Sequence, residues 1–306
     1  MQPGVGNIIA EISGSELSQT SGAFPNPEVK ISGETMSGSH EVRDVDFAGI
    51  AKLVAFWNGS AAGKTTDMLT AAEREELAAI VAAHRPFVSQ AKGETSVGKL
   101  AISSGGKRFL IDSLAYRWSF EDIASDGAIV AGMTFENPTV DPGVWPAGVE
   151  KALPKSIGFS FRYHGFRFGP MWDMLSDPKA AGDVSTLSSD ELARTLLPDG
   201  RVTVEITDTY ARSPYYDLGV EGHYYMRAGE RGDRYEADLD ITARDFDKTV
   251  KFLQDNAKTV PVFGRAATYA LMAKGLGEAQ PDGSMLWNLK IDEAGKITIN
   301  GQPLPV

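Results

Sequence analysis

The feature that most limits how this chain can fold is a two-residue rhythm of apolar and polar side chains. In RVTVEIT, Val202, Val204 and Ile206 share one face, while Thr203 and Glu205 take the other. RYEADLDIT sets Tyr235, Ala237, Leu239 and Ile241 against Glu236, Asp238 and Asp240. GFSFRYH groups Phe159, Phe161 and Tyr163 opposite Ser160 and Arg162, and WNLKI groups Trp287, Leu289 and Ile291. Successive side chains of a strand point to opposite faces, so the rhythm predicts strands with one apolar and one wet face. Such strands belong to antiparallel sheets, because buried parallel strands read as unbroken apolar runs.

Turn residues divide the strands in a matching way. Gly105-Gly106, between GKLAISS and KRFLID, is a two-residue hairpin signal. Asp126-Gly127 precedes AIVAGMTFEN, Glu293-Ala294-Gly295 parts WNLKID from KITING, and RAGERGD (227–233) joins two further strands. The start, MQPGVGNIIAEISG, enters directly on a strand through Ile8, Ile9 and Ile12. It has no basic flank followed by an apolar region, so any leader or anchor is expected upstream of it.

Helices interrupt the hairpins. Phe47, Ile50, Leu53, Val54 and Trp57 recur at helical spacing and predict a helix over about 46–57. Thr70-Ala-Ala-Glu73 is a capping box that opens a second helix, running to His84 and stopped before Pro86. Ser188 to Glu191 opens a third, ended by Pro198; 244–256, with Phe246, Val250 and Leu253 inward, and 262–274 are two more. Segments 17–27 and 176–187 read as loops. The expected class is therefore α+β, a mostly antiparallel, curved meander sheet with flanking helices. It forms one elongated domain over 1–306, with helix-flanked hairpins in both halves (1–180 and 181–306).

Composition bounds the function. The net charge of −11 repels phosphate backbones and anionic headgroups, so no nucleic-acid partner is expected. With no cysteine, disulfides, thiolate nucleophiles and zinc–thiolate sites are excluded together. No apolar run approaches the roughly 20 residues that a membrane helix needs.

WNGSAAGKTTD (57–67) contains Gly63-Lys64-Thr65, the ending of a phosphate-cradling loop. Such a loop follows a buried strand and opens directly into a helix. Here the first glycine position is Asn58, the preceding segment has helical spacing, and the next helix is capped at Thr70. The stretch is expected to be a connector, with no nucleotide bound. The four histidines, His40, His84, His164 and His223, show no metal-ligand spacing, so no metal or cofactor is expected. Glu205, Asp208, Asp238 and Asp240, among the tyrosines of 205–240, are the place where a hydrolase would keep paired carboxylates. Acids that alternate along a strand are more often its wet face.

FRYHGFRFGPMWDML (161–175) is the most aromatic stretch. Phe159, Phe161, Tyr163, Phe166, Met171, Trp172 and Leu175 are the candidates for lining a hydrophobic-ligand site, against the alternative of a filled strand–helix corner.

YEADLDITARDFDKTVKFLQD, an apolar helix and then QPDGSMLWNLKIDEAGKITINGQPL resemble the uncharacterised bacterial envelope proteins of the YdgA type and the wider AsmA-like group. ALPKSIGFSFRYHGF is similar to a phrase of a related family of unknown function. The resemblance implies an elongated, strongly curved sheet with helices at its ends, located in the periplasm or cell envelope. It also implies lipid handling through a β-groove with an apolar floor, without carrying over any functional residue. The expected function is thus a non-enzymatic envelope protein that takes a lipid or another hydrophobic ligand in a concave apolar groove. The alternatives are a structural or interaction module with a filled core that meets an envelope protein partner, and a hydrolase working near 205–240.

Overall fold

A computed structural model describes residues 5–21, 29–180, 187–197, 199–227 and 234–304. The strands are β1 (Val5–Ser21), β2 (Val29–Asp46), β3 (Gln90–Ser104), β4 (Lys107–Glu121), β5 (Asp126–Glu136), β6 (Thr139–Val140) and β7 (Ser156–Arg167) in the first half. The second half holds β8 (Arg201–Arg212), β9 (Asp217–Arg227), β10 (Arg234–Arg244), β11 (Glu278–Ala279), β12 (Met285–Ile291), β13 (Ile297–Ile299) and β14 (Gln302–Pro303). They form one open sheet in the order β1-β2-β3-β4-β5-β7-β8-β9-β10-β12-β13-β14, with β6 on β4 and β11 on β12. Every pairing is antiparallel, and the β7–β8 ladder links the two halves of the chain. The alternation of the sequence is the alternation of this sheet.

The helices are α1 (Phe47–Asn58), α2 (Ala71–His84), α3 (Ala147–Lys151), α4 (Gly169–Leu175), α5 (Ser189–Leu196), α6 (Phe246–Asn256) and α7 (Pro261–Leu276). They gather at the ends of strands. The α1–α2 pair follows β2 and α4 follows β7, which meet at one end of the sheet, and together they bury Phe56, Leu69, Leu77 and Val81 against Trp172 and Leu175. At the opposite end α6 and α7 follow β10, stacking Phe252 between Tyr215 and Phe263. Among the described residues, all strands belong to this one sheet and none forms a second layer on it.

Several expectations need correction. Residues 17–21 continue β1 instead of forming a loop, because their backbone pairs with Val29–Gly33; residues 22–27 lie outside the described residues, as do 181–186 and 228–233. Asp126-Gly127 already belongs to β5; the reversal lies just before, at Asp122–Ser125, where Asp122 takes a left-handed φ of 49°. The buried stripe of α1 is Gly49, Leu53, Phe56 and Trp57, whereas Phe47 and Val54 face solvent. The partner decides this: α2 lies so close that a Cβ on Gly49 would fall 2.6 Å from that of His84. In α6 Phe252 is buried where Leu253 was expected, and Leu253 is half-buried. Gly105-Gly106 forms the β3–β4 hairpin with φ of 58° and 76°, as a tight primed turn demands.

Candidate functional site

Residues directly opposite one another in adjacent strands share a face, so the register assigns every side chain to one side of the sheet. Starting at Phe120, one row runs through Ile129, Tyr163, Val204, Tyr224 and Ala237 to Ile291 and Ile297. A neighbouring row runs from Trp118 through Ala131, Phe161 and Ile206 to Gly222, Leu239, Leu289 and Ile299. Toward the other end lie Tyr116, Met133 and Phe159, then Leu114, Phe135 and Ile157. One face is therefore apolar from β4 to β13, a stripe of about 34 Å at about 4.8 Å per strand interval.

This face is only partly covered. Tyr116 is 39%, Phe120 40% and Phe159 40% exposed, and Phe161 and Tyr163 are half-buried. Ring contacts hold the stripe together: Trp118 on Phe120 at 5.7 Å, Phe135 on Phe159 at 6.3 Å and Tyr224 on Tyr235 at 5.7 Å.

The opposite face is a polar ladder. Glu41, Lys92, Ser119, Arg162, Glu205, His223, Asp238 and Lys290 fall along one row of it, with Val130 between Ser119 and Arg162. Arg162 pairs with Glu121 at 2.7 Å, and Glu41 takes Arg43 at 2.6 Å and Lys92 at 2.9 Å. Arg43 first, then Lys92, holds the Glu41 carboxyl down to about 2. A depression of about 450 Å³ opens here, lined by Ser39, Glu41, Lys92, Glu94, Arg117 and Ser160.

The structure divides the sequence-derived candidates. Phe159, Phe161 and Tyr163 lie together on the apolar face. Trp172 and Leu175 instead fill the helical corner against α1 and α2, and the Trp172 indole donates to the Ile123 carbonyl at 2.8 Å. Phe166 stacks on Phe168 beyond the Gly127/Ala128 bulge, and Met171 sits half-buried on α4. Sequence reasoning passed over Tyr116, Trp118, Phe120, Met133 and Phe135. SLAYRWSF carries the same two-residue rhythm and was signal enough to find the first three.

Of the carboxylates of 205–240, Asp238 and Asp240 meet at one shared partner. The Asn288 side-chain amide donates to Asp238 at 2.9 Å and to Asp240 at 2.8 Å, and Lys290 meets Asp238 at 3.0 Å. Asn288 first, then Lys290, lowers the Asp238 carboxyl below its ordinary range. Asp208 lies 3.8 Å from Arg117. Among the histidines, His84 lies 2.7 Å from Asp46 and 3.0 Å from Lys52; His40 leans on Trp118 and His223 stacks on Tyr225. His164 Nε2 is buried and has no hydrogen-bond partner among the described residues. In the glycine-rich stretch, Lys64 donates to Glu73, and residues 59–70 connect α1 to α2 through a short 3-10 turn at Thr66–Met68. Among the described residues no group of three metal-ligating side chains comes together, and no helix is long and apolar enough to cross a membrane.

Comparison with protein-family models, with curated proteins and with solved structures returned no match.

Proposed function

We propose that this chain is a non-enzymatic binding protein of the cell envelope that lays acyl chains, or another extended apolar ligand, along the aromatic face of a curved sheet. The observation that carries the reading is the register. Across β4, β5 and β7–β13, same-face positions are apolar row after row, and among the described residues no second sheet packs on them. Burying half-exposed aromatic area is favourable by about 25 cal/mol per Å². A flexible chain can match a long, shallow stripe better than a compact ligand can. Local breaks in the ladder support the curvature. Glu16, Lys99 and Asp208 adopt left-handed φ of 54°, 52° and 46° inside strands, and such irregularities bend and twist a sheet. The absence of cysteine suits an oxidising compartment, where stray thiols mispair.

The test is uptake of a fluorescent fatty acid, beside native mass spectrometry of the purified protein before and after lipid extraction. The double variant Phe159→Glu/Phe161→Glu should weaken uptake about tenfold or more, the equivalent of 1.4 kcal/mol. Asp238→Asn, on the polar face, should leave uptake unchanged. If the intact protein neither carries an amphiphile nor takes up the probe, the reading fails.

A further inference from the structure

The edge strand β1 is unusually bare. It is 17 residues long, and its only neighbour among the described strands is β2. Residues 7–16 are exposed without a break on both faces, including Ile8 at 44%, Ile9 at 67% and Ile12 at 46%. Sheet edges are ordinarily protected by charged side chains, above all lysine, by proline, by bulges, by short strands or by a covering segment. Strand β1 has two glutamates, Glu11 and Glu16, and one bulge, which lies at its end between Gly6 and Ile8. Val5 to Ser21 contains no lysine and no proline. The other edge is protected: β14 spans two residues, and Pro303 has no N–H to offer.

From these observations we infer that two copies of this chain pair through β1, antiparallel, about a two-fold axis passing through Ile12. The straight part of the strand points to that residue. It runs from Ile8, just past the bulge, to Glu16, whose backbone turns left-handed, and Ile12 is the midpoint of that span. Outward-pointing backbone groups alternate along a strand, so self-pairing must centre on a residue and not between two. Centring on Ile12 sets Ile12 against its own copy, Ala10 against Gly14 and Ile8 against Glu16. On the other face Glu11 meets Ser13 and Ile9 meets Ser15. No two like charges face each other. An axis at Glu11 would oppose two carboxylates. One at Ala10 would run the ladder across the bulge between Gly6 and Ile8.

Pairing of this kind closes on itself. The C-terminal edge is too short to accept β1 head to tail, so the assembly stops at a dimer rather than growing into a fibre. The two-fold axis stands perpendicular to the sheet, which puts the apolar faces of both copies on the same side. A ladder of about nine residues belongs to the small end of specific interfaces, so the dimer should form at micromolar concentrations and dissociate on dilution.

Because the chain has no native cysteine, single-cysteine variants report the register directly. Ile12→Cys should give a disulfide-linked dimer under mild oxidation. Ile9→Cys should fail to cross-link alone but should join Ser15→Cys in a mixture. In sedimentation velocity the native chain should be a dimer at about 100 µM, well above the expected dissociation constant. Ile12→Lys, which sets two cations face to face, should lower the dimer fraction about tenfold while leaving the circular dichroism spectrum unchanged. A native chain that is monomeric at that concentration would overturn the inference. So would a dimer that survives Ile12→Lys but is broken by Phe159→Glu, since the apolar face would then be the contact.

Discussion

Thr70 and Glu73 show how much of a helix start rests on two side chains. The Thr70 hydroxyl accepts from the Glu73 N–H at 3.4 Å, and the Glu73 carboxylate accepts from the Thr70 N–H at 2.8 Å. Lys64, the residue that makes the glycine-rich stretch look like a phosphate loop, donates to the same carboxylate. Lys64 first, then the Thr70 N–H, lowers the Glu73 pKa from 4.5 to about 2. A depressed carboxyl binds its proton less readily folded than unfolded, so its contribution to stability is complete above 4.5 and is lost as pH falls toward 2. Glu73→Gln should therefore lower the melting temperature at pH 7, and the gap to the native protein should narrow as the pH falls from 4.5 to 2. A gap that stays constant across that window would show that the ionised carboxylate contributes nothing. Thr70→Ala should cost about 1 kcal/mol in urea denaturation, the usual value of a lost N-cap. The capping box was readable because it is local; the Lys64 contact was not, since nothing in GKTTD fixes where that side chain reaches.

At the scale of strands, close approach replaces layered packing. Gly158 in β7 stands directly opposite Tyr210 in β8, and a Cβ added there would lie 2.4 Å from the tyrosine ring. The ring covers the glycine, Arg212 lies over the ring at 4.1 Å, and Ser156 reaches the phenol oxygen at 3.3 Å. Gly158→Ala should displace this stack and cost roughly 1–3 kcal/mol in urea denaturation. In a Tyr210→Ala background the same substitution should cost almost nothing, and an undiminished cost there would refute the ring contact as the cause. This contact also marks the limit of sequence reading. The strands, the Gly105-Gly106 hairpin and the placement of Phe159, Phe161 and Tyr163 on one face follow from local periodicity. Whether a neighbour stands over a position does not. Trp172 and Leu175 share their aromatic stretch with Phe161, yet they turn into the α1–α2 corner because α4 packs there. The exposure of Phe47 and the burial of Phe56 likewise depend on α2, which a reading of α1 alone cannot supply.

The whole molecule exposes more surface than a chain of its size ordinarily does. A compact monomer of 32.9 kDa would expose about 12,500 Å², whereas this one exposes 18163 Å². The topology explains the excess. Apart from the two-residue strands β6 and β11, the strands follow one another across the sheet in chain order, so it grows sideways like a repeat array. The helices sit at strand ends and leave part of the apolar face exposed, as at Tyr116, Phe120 and Phe159, while Val204 and Ala237 are buried. A compact chain of 306 residues would have a radius of gyration of about 19 Å. Small-angle scattering at concentrations dilute enough to favour the monomer should give a value clearly above that, with a long tail in the pair-distance distribution. A radius near 19 Å would mean that the sheet closes on itself in solution. The apolar stripe would then be an interior, and both the ligand reading and the open β1 edge would lose the exposed surfaces they require.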